Sequence, residues 1–226
     1  LKRKIINTAD GSATIYLEEW NEHYHSKHGA VNEAYHVFIK NGLSLFSDRE
    51  LSVLEIGFGT GLNAFITFLE APALKLNIDY TGVEAYPVTE EELKLLNYPE
   101  QLKAEDKEAV FKKMHRSKWE KKTPIEKGFD LCKRQQSFEE IEDEACFDLV
   151  YFDAFGARVQ PELWTEDIFL KMFRALRPGG VLVTYAAKGS VRRAMQAVGF
   201  EVERLPGPPG KREMLRATKH FEGGEN

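Results

Sequence analysis

The chain has 226 residues, 42% of them hydrophobic and 30% charged, with a formal net charge of −5. That length supports one sizeable α/β core with a small appended element, and no apolar run reaches the roughly 20 residues needed to span a bilayer. The negative balance argues against wholesale coating of nucleic acid and leaves room only for local clusters of Lys and Arg.

Two short β-prone runs, Lys4–Asn7 and Thr14–Leu17, flank Asp10-Gly11, a favoured turn pair, and predict an N-terminal β-hairpin. A helical stripe follows at Val31, Ala34, Val37 and Phe38, with Gly42 expected to end it. Glu33 and His36 are three apart and are expected to share a face. Four of the six histidines, His23, His25, His28 and His36, fall in this stretch, which tilts it slightly towards a site.

The most informative stretch is Leu51–Phe65. An apolar run, Val53–Ile56, reads as a buried parallel strand that passes directly into Gly57, Gly59 and Gly61, and a helix pattern begins at Leu62. Spaced glycines let the backbone bend and let a ligand approach the main chain, while the helix start offers unpaired N–H groups. In a dinucleotide fingerprint the third glycine falls three residues after the second. Here that place is Leu62, which disfavours a nicotinamide dehydrogenase. A second strand, Ile78–Val83, ends at Glu84, where a nucleoside ribose needs an acceptor for its hydroxyls.

Residues 87–127 read as a charged helical region that Pro99 is expected to break in two. The basic residues from Lys112 to Lys122 there fit a solvated helix face better than an RNA patch. Phe129–Leu131 is a short strand, followed by Gln135 and Gln136, candidates for contact with a cofactor base. Cys146–Phe152 is the strongest strand in the chain and ends at Asp153. Ligands in open α/β sheets lie beyond the carboxyl ends of the strands, so Asp153 is the leading catalytic candidate. Then come a helix Glu166–Leu176, the turn Arg177–Gly180, a strand Val181–Tyr185, a helix from Lys188 to Ala197, and an antiparallel pair, Phe200–Leu205 and Glu213–Ala217. Residues 220–226 are expected to fray. Cys132 and Cys146 lie far apart with no nearby histidine ligands, which predicts a reducing cytoplasm and no metal site.

From Leu51 onward strands and helices alternate, which predicts an α/β fold with a doubly wound, seven-stranded sheet and a reversed last strand. Residues 1–50 form the hairpin and helix extension and 51–226 the main domain.

The pattern Glu-x-Gly-x-Gly-Thr-Gly at Glu55–Gly61 resembles the first motif of Rossmann-like class I S-adenosyl-L-methionine (SAM) methyltransferases. Together with HGAVNEAYHVF, VYFDAFGARVQPELW and the tail GSVRRAMQAVGFEVERLPGPPGKREML, the chain resembles the methyltransferase half of the MnmC-type tRNA modification enzymes. This resemblance implies SAM bound by Glu55, Gly57, Gly59, Thr60, Gly61, Asn63, Glu84 and Gln136, and Asp153 as the catalytic group. It implies methylation of the 5-aminomethyl nitrogen of wobble (2-thio)uridine 34 in tRNA. Glu33, His36 and Phe155 would border the substrate, and Tyr185 or Trp164 offers a further stacking surface. Lys188, Arg192, Arg193, Lys211 and Arg212 would meet phosphates. Bifunctional members carry a fused flavin (FAD)-dependent oxidase, so a separate oxidase is an expected partner. A small-molecule or protein N-methyltransferase remains open, as does a SAM-binding partner without activity. A polyamine synthase is disfavoured because the residues around Asp153 are not acid-rich.

Overall fold

A computed structural model describes residues 2–220; the expectation for the end of the chain lies outside them from residue 221 onward. The chain opens with three antiparallel strands, β1 (Arg3–Asn7), β2 (Ala13–Leu17) and β3 (Glu22–His23), in the order β1-β2-β3. The turn between β1 and β2 is held by Asp10, which accepts hydrogen bonds from Thr8 Oγ1 (2.8 Å) and the backbone N–H of Ser12 (3.1 Å). Gly11, at φ 83°, supplies the left-handed residue that this turn needs.

Helix α1 (Ala30–Ala34) continues as a π-helical stretch, Tyr35–Lys40. It ends one residue before Gly42, where Asn41 Nδ2 donates to the carbonyl of His36 (2.7 Å). Gly42 has an ordinary negative φ; it is required instead by close packing, since a Cβ there would lie 2.5 Å from the carbonyl oxygen of Phe38.

The main sheet contains β4 (Glu50–Ile56), β5 (Asn77–Val83), β6 (Thr123–Glu126), β7 (Phe129–Arg134), β8 (Phe147–Phe152), β9 (Leu176–Thr184), β10 (Glu201–Pro206) and β11 (Glu213–Thr218). Its order is β10-β11-β9-β8-β4-β5-β7-β6, with β4, β5, β7, β8 and β9 parallel and β11 antiparallel to both neighbours. Seven of these strands make the expected doubly wound arrangement with its reversed last strand. The eighth, β6, pairs antiparallel with β7 and extends the edge where the sequence reads as charged helix. Thr123-Pro124-Ile125-Glu126 buries only Ile125, too little for a recognisable strand period.

The strands are apolar because both faces are covered. Alternate residues split between two cores. Val53, Tyr80, Leu149, Tyr151 and Val183 pack under α1, α2 (Leu62–Glu70) and the later helix of the 87–127 region. Leu54, Ile56, Val150, Phe152 and Leu182 pack on the opposite face, under α6 (Glu166–Ala175) and α7 (Gly189–Ala197). The 87–127 region itself holds α3 (Glu90–Leu93), α4 (Tyr98–Gln101) and α5 (Glu108–Arg116). Pro99 does not break a helix there; it sits in the first turn of α4, where its missing N–H costs nothing. Three members of the basic cluster are held locally, Lys112 to Glu108 (2.5 Å), Lys113 to the carbonyl of Ile125 (2.7 Å) and Lys122 to Asp79 (2.8 Å), and Arg116, Lys118 and Lys121 are exposed, as a solvated face requires. Among the described residues no helix is long and apolar enough to cross a membrane.

Candidate active site

Strand order reverses at β4, whose neighbours β5 and β8 lead the sheet in opposite directions. Such a switch point opens a crevice beyond the carboxyl ends of the strands. The three glycines after β4 all lie in the left-handed region, at φ 87° (Gly57), 50° (Gly59) and 72° (Gly61). Each is also crowded. A Cβ at Gly57 would lie 2.8 Å from the carbonyl oxygen of Asp153, at Gly59 3.2 Å from the Tyr24 ring, and at Gly61 2.9 Å from His115 Nε2.

The polar groups converge on the crevice. Asn63, in the first turn of α2, donates through its one Nδ2 to Glu55 Oε1 (2.9 Å) and to Asp153 Oδ2 (2.8 Å). Tyr80 OH completes the shell of Glu55 at Oε2 (2.8 Å). Burial pushes the carboxyls of both Glu55 and Asp153 well above the usual carboxylate range, and for Asp153 the nearby Glu33 adds to the rise. Glu84, just past β5, accepts from the backbone N–H of Gly59 at Oε2 (2.9 Å) and of Tyr86 at Oε1 (2.9 Å). Each oxygen keeps a further lone pair for a ligand hydroxyl. Thr60 is buried, its hydroxyl accepting from Tyr98 OH (2.8 Å) and its carbonyl from His115 Nε2 (3.0 Å).

Glu55, Gly57, Gly59, Thr60, Asn63, Glu84 and Asp153 line a cavity of about 750 Å³, which Phe155, Ser137, Phe138 and Glu139 also border. Gly61, expected to bind the cofactor, is not part of that lining, because its α-carbon faces His115 instead. The N-terminal sheet closes it from above with Arg3, Trp20, Tyr24 and His25. That cover is latched at several points. Arg3 donates to the carbonyls of Tyr86 (2.6 Å) and Pro87 (3.1 Å), Arg158 to Glu22 (2.5 Å), and the Asn97 side chain bridges Ala13 N–H (2.8 Å) and the Gly11 carbonyl (2.9 Å). Trp20 and Tyr24 meet Phe155 edge-on, at 5.6 and 5.0 Å between ring centres. The histidines of this stretch tilt the sequence reading slightly towards a site, and His25 does border the cavity; Arg3, Trp20 and Tyr24 are not singled out by it, and the aromatic residues beside those histidines are their signal.

Several expected residues are placed elsewhere. Gln136 does not border the cavity; its neighbours Ser137 and Phe138 do, because the loop turns into a Ser137-capped helical turn. Glu33 and His36 do not act together. Glu33 is buried and binds Lys211 and the Ser26 N–H, whereas His36 Nε2 reaches the carbonyl of Pro206 (2.8 Å) on the exposed side. Lys211 is therefore engaged in an ion pair and is not free for phosphate, while Lys188, Arg193 and Arg212 are exposed and Arg192 is half-buried. Trp164 is core, donating its Nε1–H to the carbonyl of Phe155 (2.7 Å). Tyr185 supports the same loop through Ala154 (2.7 Å). The cavity is richer in acid than the neighbours of Asp153 in sequence suggest, because Glu84, Glu92, Glu139 and Glu162 join Asp153 and Glu55 from separate segments of the chain.

The residues fit a nucleoside sulfonium such as SAM. Gly57 and Gly59 border the cavity, Glu84 offers paired acceptors, and Asn63 Oδ1 is a buried acceptor with no partner. The sequence profile described as S-adenosyl-L-methionine-dependent methyltransferase (Methyltransf_30) matches residues 110–220. The tRNA 5-methylaminomethyl-2-thiouridine biosynthesis bifunctional protein MnmC of Nitrosospira multiformis is 30% identical over 221 residues, covering 89% of this chain and 35% of that protein. The chain spans about a third of the length of the curated relatives it matches. Among solved structures, MNMC2 from Aquifex aeolicus superposes with a TM-score of 0.78 at 24% identity, covering 96% of this chain and 70% of that one. Spermidine synthase from Thermotoga maritima does so with 0.60 at 13% identity, covering 97% and 69%. The two structural likenesses speak to the fold, and the sequence matches to the family. By cradle, carboxylates and likeness together, the chain belongs to the S-adenosyl-L-methionine-dependent methyltransferases.

Proposed function

We propose that the chain methylates the 5-aminomethyl nitrogen of the wobble (2-thio)uridine of tRNA, giving 5-methylaminomethyl-(2-thio)uridine. The observation that carries the reading is Asp153. It stands immediately past β8, beside the glycine cradle, with one oxygen fixed by Asn63 and its carboxyl facing the cavity. The curated relatives, whose names specify biosynthesis of that nucleoside, supply the substrate.

Bound SAM supplies an electrophilic methyl group on a positively charged sulfur. A primary amine attacks it only when neutral, and an aminomethyl group is mostly protonated near pH 7. Asp153 accepts a hydrogen bond from the ammonium, takes its proton and aims the freed lone pair. Burial, by raising the affinity of Asp153 for protons, makes it a better acceptor than an exposed aspartate. The latched hairpin covers one side of the cavity, and holding the two reacting atoms in line provides most of the acceleration. Phe155, with Trp20 and Tyr24 edge-on around it, offers a face for the extruded uracil. Lys188, Arg192, Arg193 and Arg212 supply phosphate contacts, and a separate FAD-dependent oxidase in the cytoplasm supplies the aminomethyl substrate. The acids around the cavity suit a cationic amine of either kind, so aminopropyl transfer to a polyamine is the second reading.

The test is mass spectrometry of tRNA nucleosides after incubation of the protein with SAM and tRNA bearing 5-aminomethyl-2-thiouridine. One methyl gained on that uridine is expected, with less conversion by an Arg192→Glu/Arg193→Glu variant at limiting tRNA. No gain, with product formed instead from putrescine and decarboxylated SAM, would establish the second reading.

The ribose assignment has its own check. Glu84→Ala removes the acceptor shared by Gly59 and Tyr86 and is expected to weaken SAM binding by about 10- to 100-fold in calorimetry, the range for lost charge-assisted hydrogen bonds. Unchanged affinity removes Glu84 from the cofactor site.

A further inference from the structure

We infer that Glu33, Lys211 and Tyr185 form a positioning relay that fixes the place and the charge of Asp153. The inference rests on the reading of Asp153 as the group that takes the proton of the amine. Lys211 lies in the loop between β10 and β11, Glu33 on α1 and Tyr185 just past β9, so three remote segments meet behind one side chain.

The contacts are continuous. Lys211 Nζ lies 2.5 Å from Glu33 Oε2 and 3.9 Å from the centre of the Tyr185 ring. Tyr185 OH donates to the carbonyl of Ala154 (2.7 Å), the residue next to Asp153. Glu33 is itself held from the other side, its Oε1 accepting from the Ser26 N–H (3.1 Å). Neither Glu33 nor Lys211 borders the cavity, so neither is placed to touch cofactor or substrate. A buried ion pair is also a poor source of stability, because desolvation offsets most of the attraction. The Glu33 side chain is only 8% exposed and that of Lys211 32%, so a buried carboxylate is held by a half-buried cation that reaches, through the Tyr185 ring, the residue next to Asp153, and this arrangement calls for another role.

That role is electrostatic. The titratable and charged groups around Asp153 are Glu55 on β4, Tyr80 on β5, Tyr98 on α4, Tyr185, Glu33 and Lys211, with His25 of the N-terminal segment on the same cavity. Asn63 is the neutral member of the set. Lys211 is the cation among those acting on Asp153 and Glu33 the principal anion, and they pull its carboxyl in opposite directions. Lys211 favours the carboxylate and Glu33 the acid, so the pair holds the proton affinity of Asp153 between two extremes. Too low an affinity makes a weak base; too high an affinity keeps the base protonated.

The test follows the Asp153 carboxyl by 13C NMR titration in the free protein, its resonance identified by its loss in Asp153→Asn, beside the pH profile of kcat/KM on aminomethyl tRNA. Glu33→Gln is expected to move the midpoint and the acidic limb to lower pH, and Lys211→Met to move both to higher pH, each by on the order of one pH unit. Lys211→Arg is expected to leave them in place. If Lys211→Met does not fold, Lys211→Gln, which still donates to Glu33, replaces it with the same expected direction. Midpoints that move together or stay fixed overturn the relay, since a merely structural pair gives no opposed shifts. Opposed NMR shifts in a protein that transfers no methyl to the amine uphold the relay and overturn the functional reading.

Discussion

Asp153→Ala is expected to lower kcat for methyl transfer by about 10²- to 10⁴-fold, the usual contribution of a positioned general base, while the protein still binds SAM. The Oδ2 of Asp153 accepts from Asn63 (2.8 Å), and that same Nδ2 also donates to Glu55 (2.9 Å), so Asn63 keeps a partner when Asp153 is truncated. Glu84 and the glycine cradle are untouched. Asp153→Asn preserves the shape but cannot take a proton, so it should fall nearly as far as the alanine variant. The pH profile gives the sign. Burial and Glu33 raise the Asp153 carboxyl above the usual carboxylate range, so wild-type activity should decline as pH falls through that raised value, where the base becomes protonated. The residual activity of Asp153→Asn should lack this limb. Near-normal turnover in either variant, measured by nucleoside mass spectrometry, would remove Asp153 from the chemistry.

The second large effect belongs to the turn after β4. Gly57→Ala places a side chain on a residue at φ 87° and puts its Cβ 2.8 Å from the carbonyl oxygen of Asp153. The backbone of the crossing segment cannot yield, because the Asp153 N–H is bonded to the Ile56 carbonyl (2.9 Å) at the end of β4. Left-handed strain in a residue with a Cβ costs on the order of 1–3 kcal/mol. For a chain of this size each kcal/mol lowers the melting temperature by about 2–4 °C. The same distortion moves the cradle and the acid together, so SAM affinity should fall with stability. A variant with unchanged melting temperature and unchanged SAM affinity would show that the turn does not need glycine at this position.

These two positions were legible in the sequence because their signals are local. The step from an apolar run to spaced glycines and the abrupt end of Cys146–Phe152 at an aspartate each lie within a few residues. Glu84 was legible for the same reason. The three short helices α3 to α5 and the edge strand β6 were harder, since short, highly charged elements bury few residues and leave weak periodicity. Lys211 was misassigned for a different reason. In PGPPGKR it looks like a solvent-facing cation, yet it is paired with Glu33, 178 residues away in sequence.

What the sequence determined alone, then, is the alternation of strands and helices, the glycine turn after β4 and the acids that end β5 and β8, because hydrophobic period and turn chemistry act over neighbouring residues. The tertiary structure decided what surrounds those acids. It seated the N-terminal hairpin over the cavity, brought Glu92, Glu139 and Glu162 from separate segments to the same cavity as Asp153, and turned His36 and Gln136 away from it. It also joined α1 to the β10–β11 loop through Glu33 and Lys211. Such pairings depend on how distant elements dock, and a buried charge takes whichever partner the docking brings within reach.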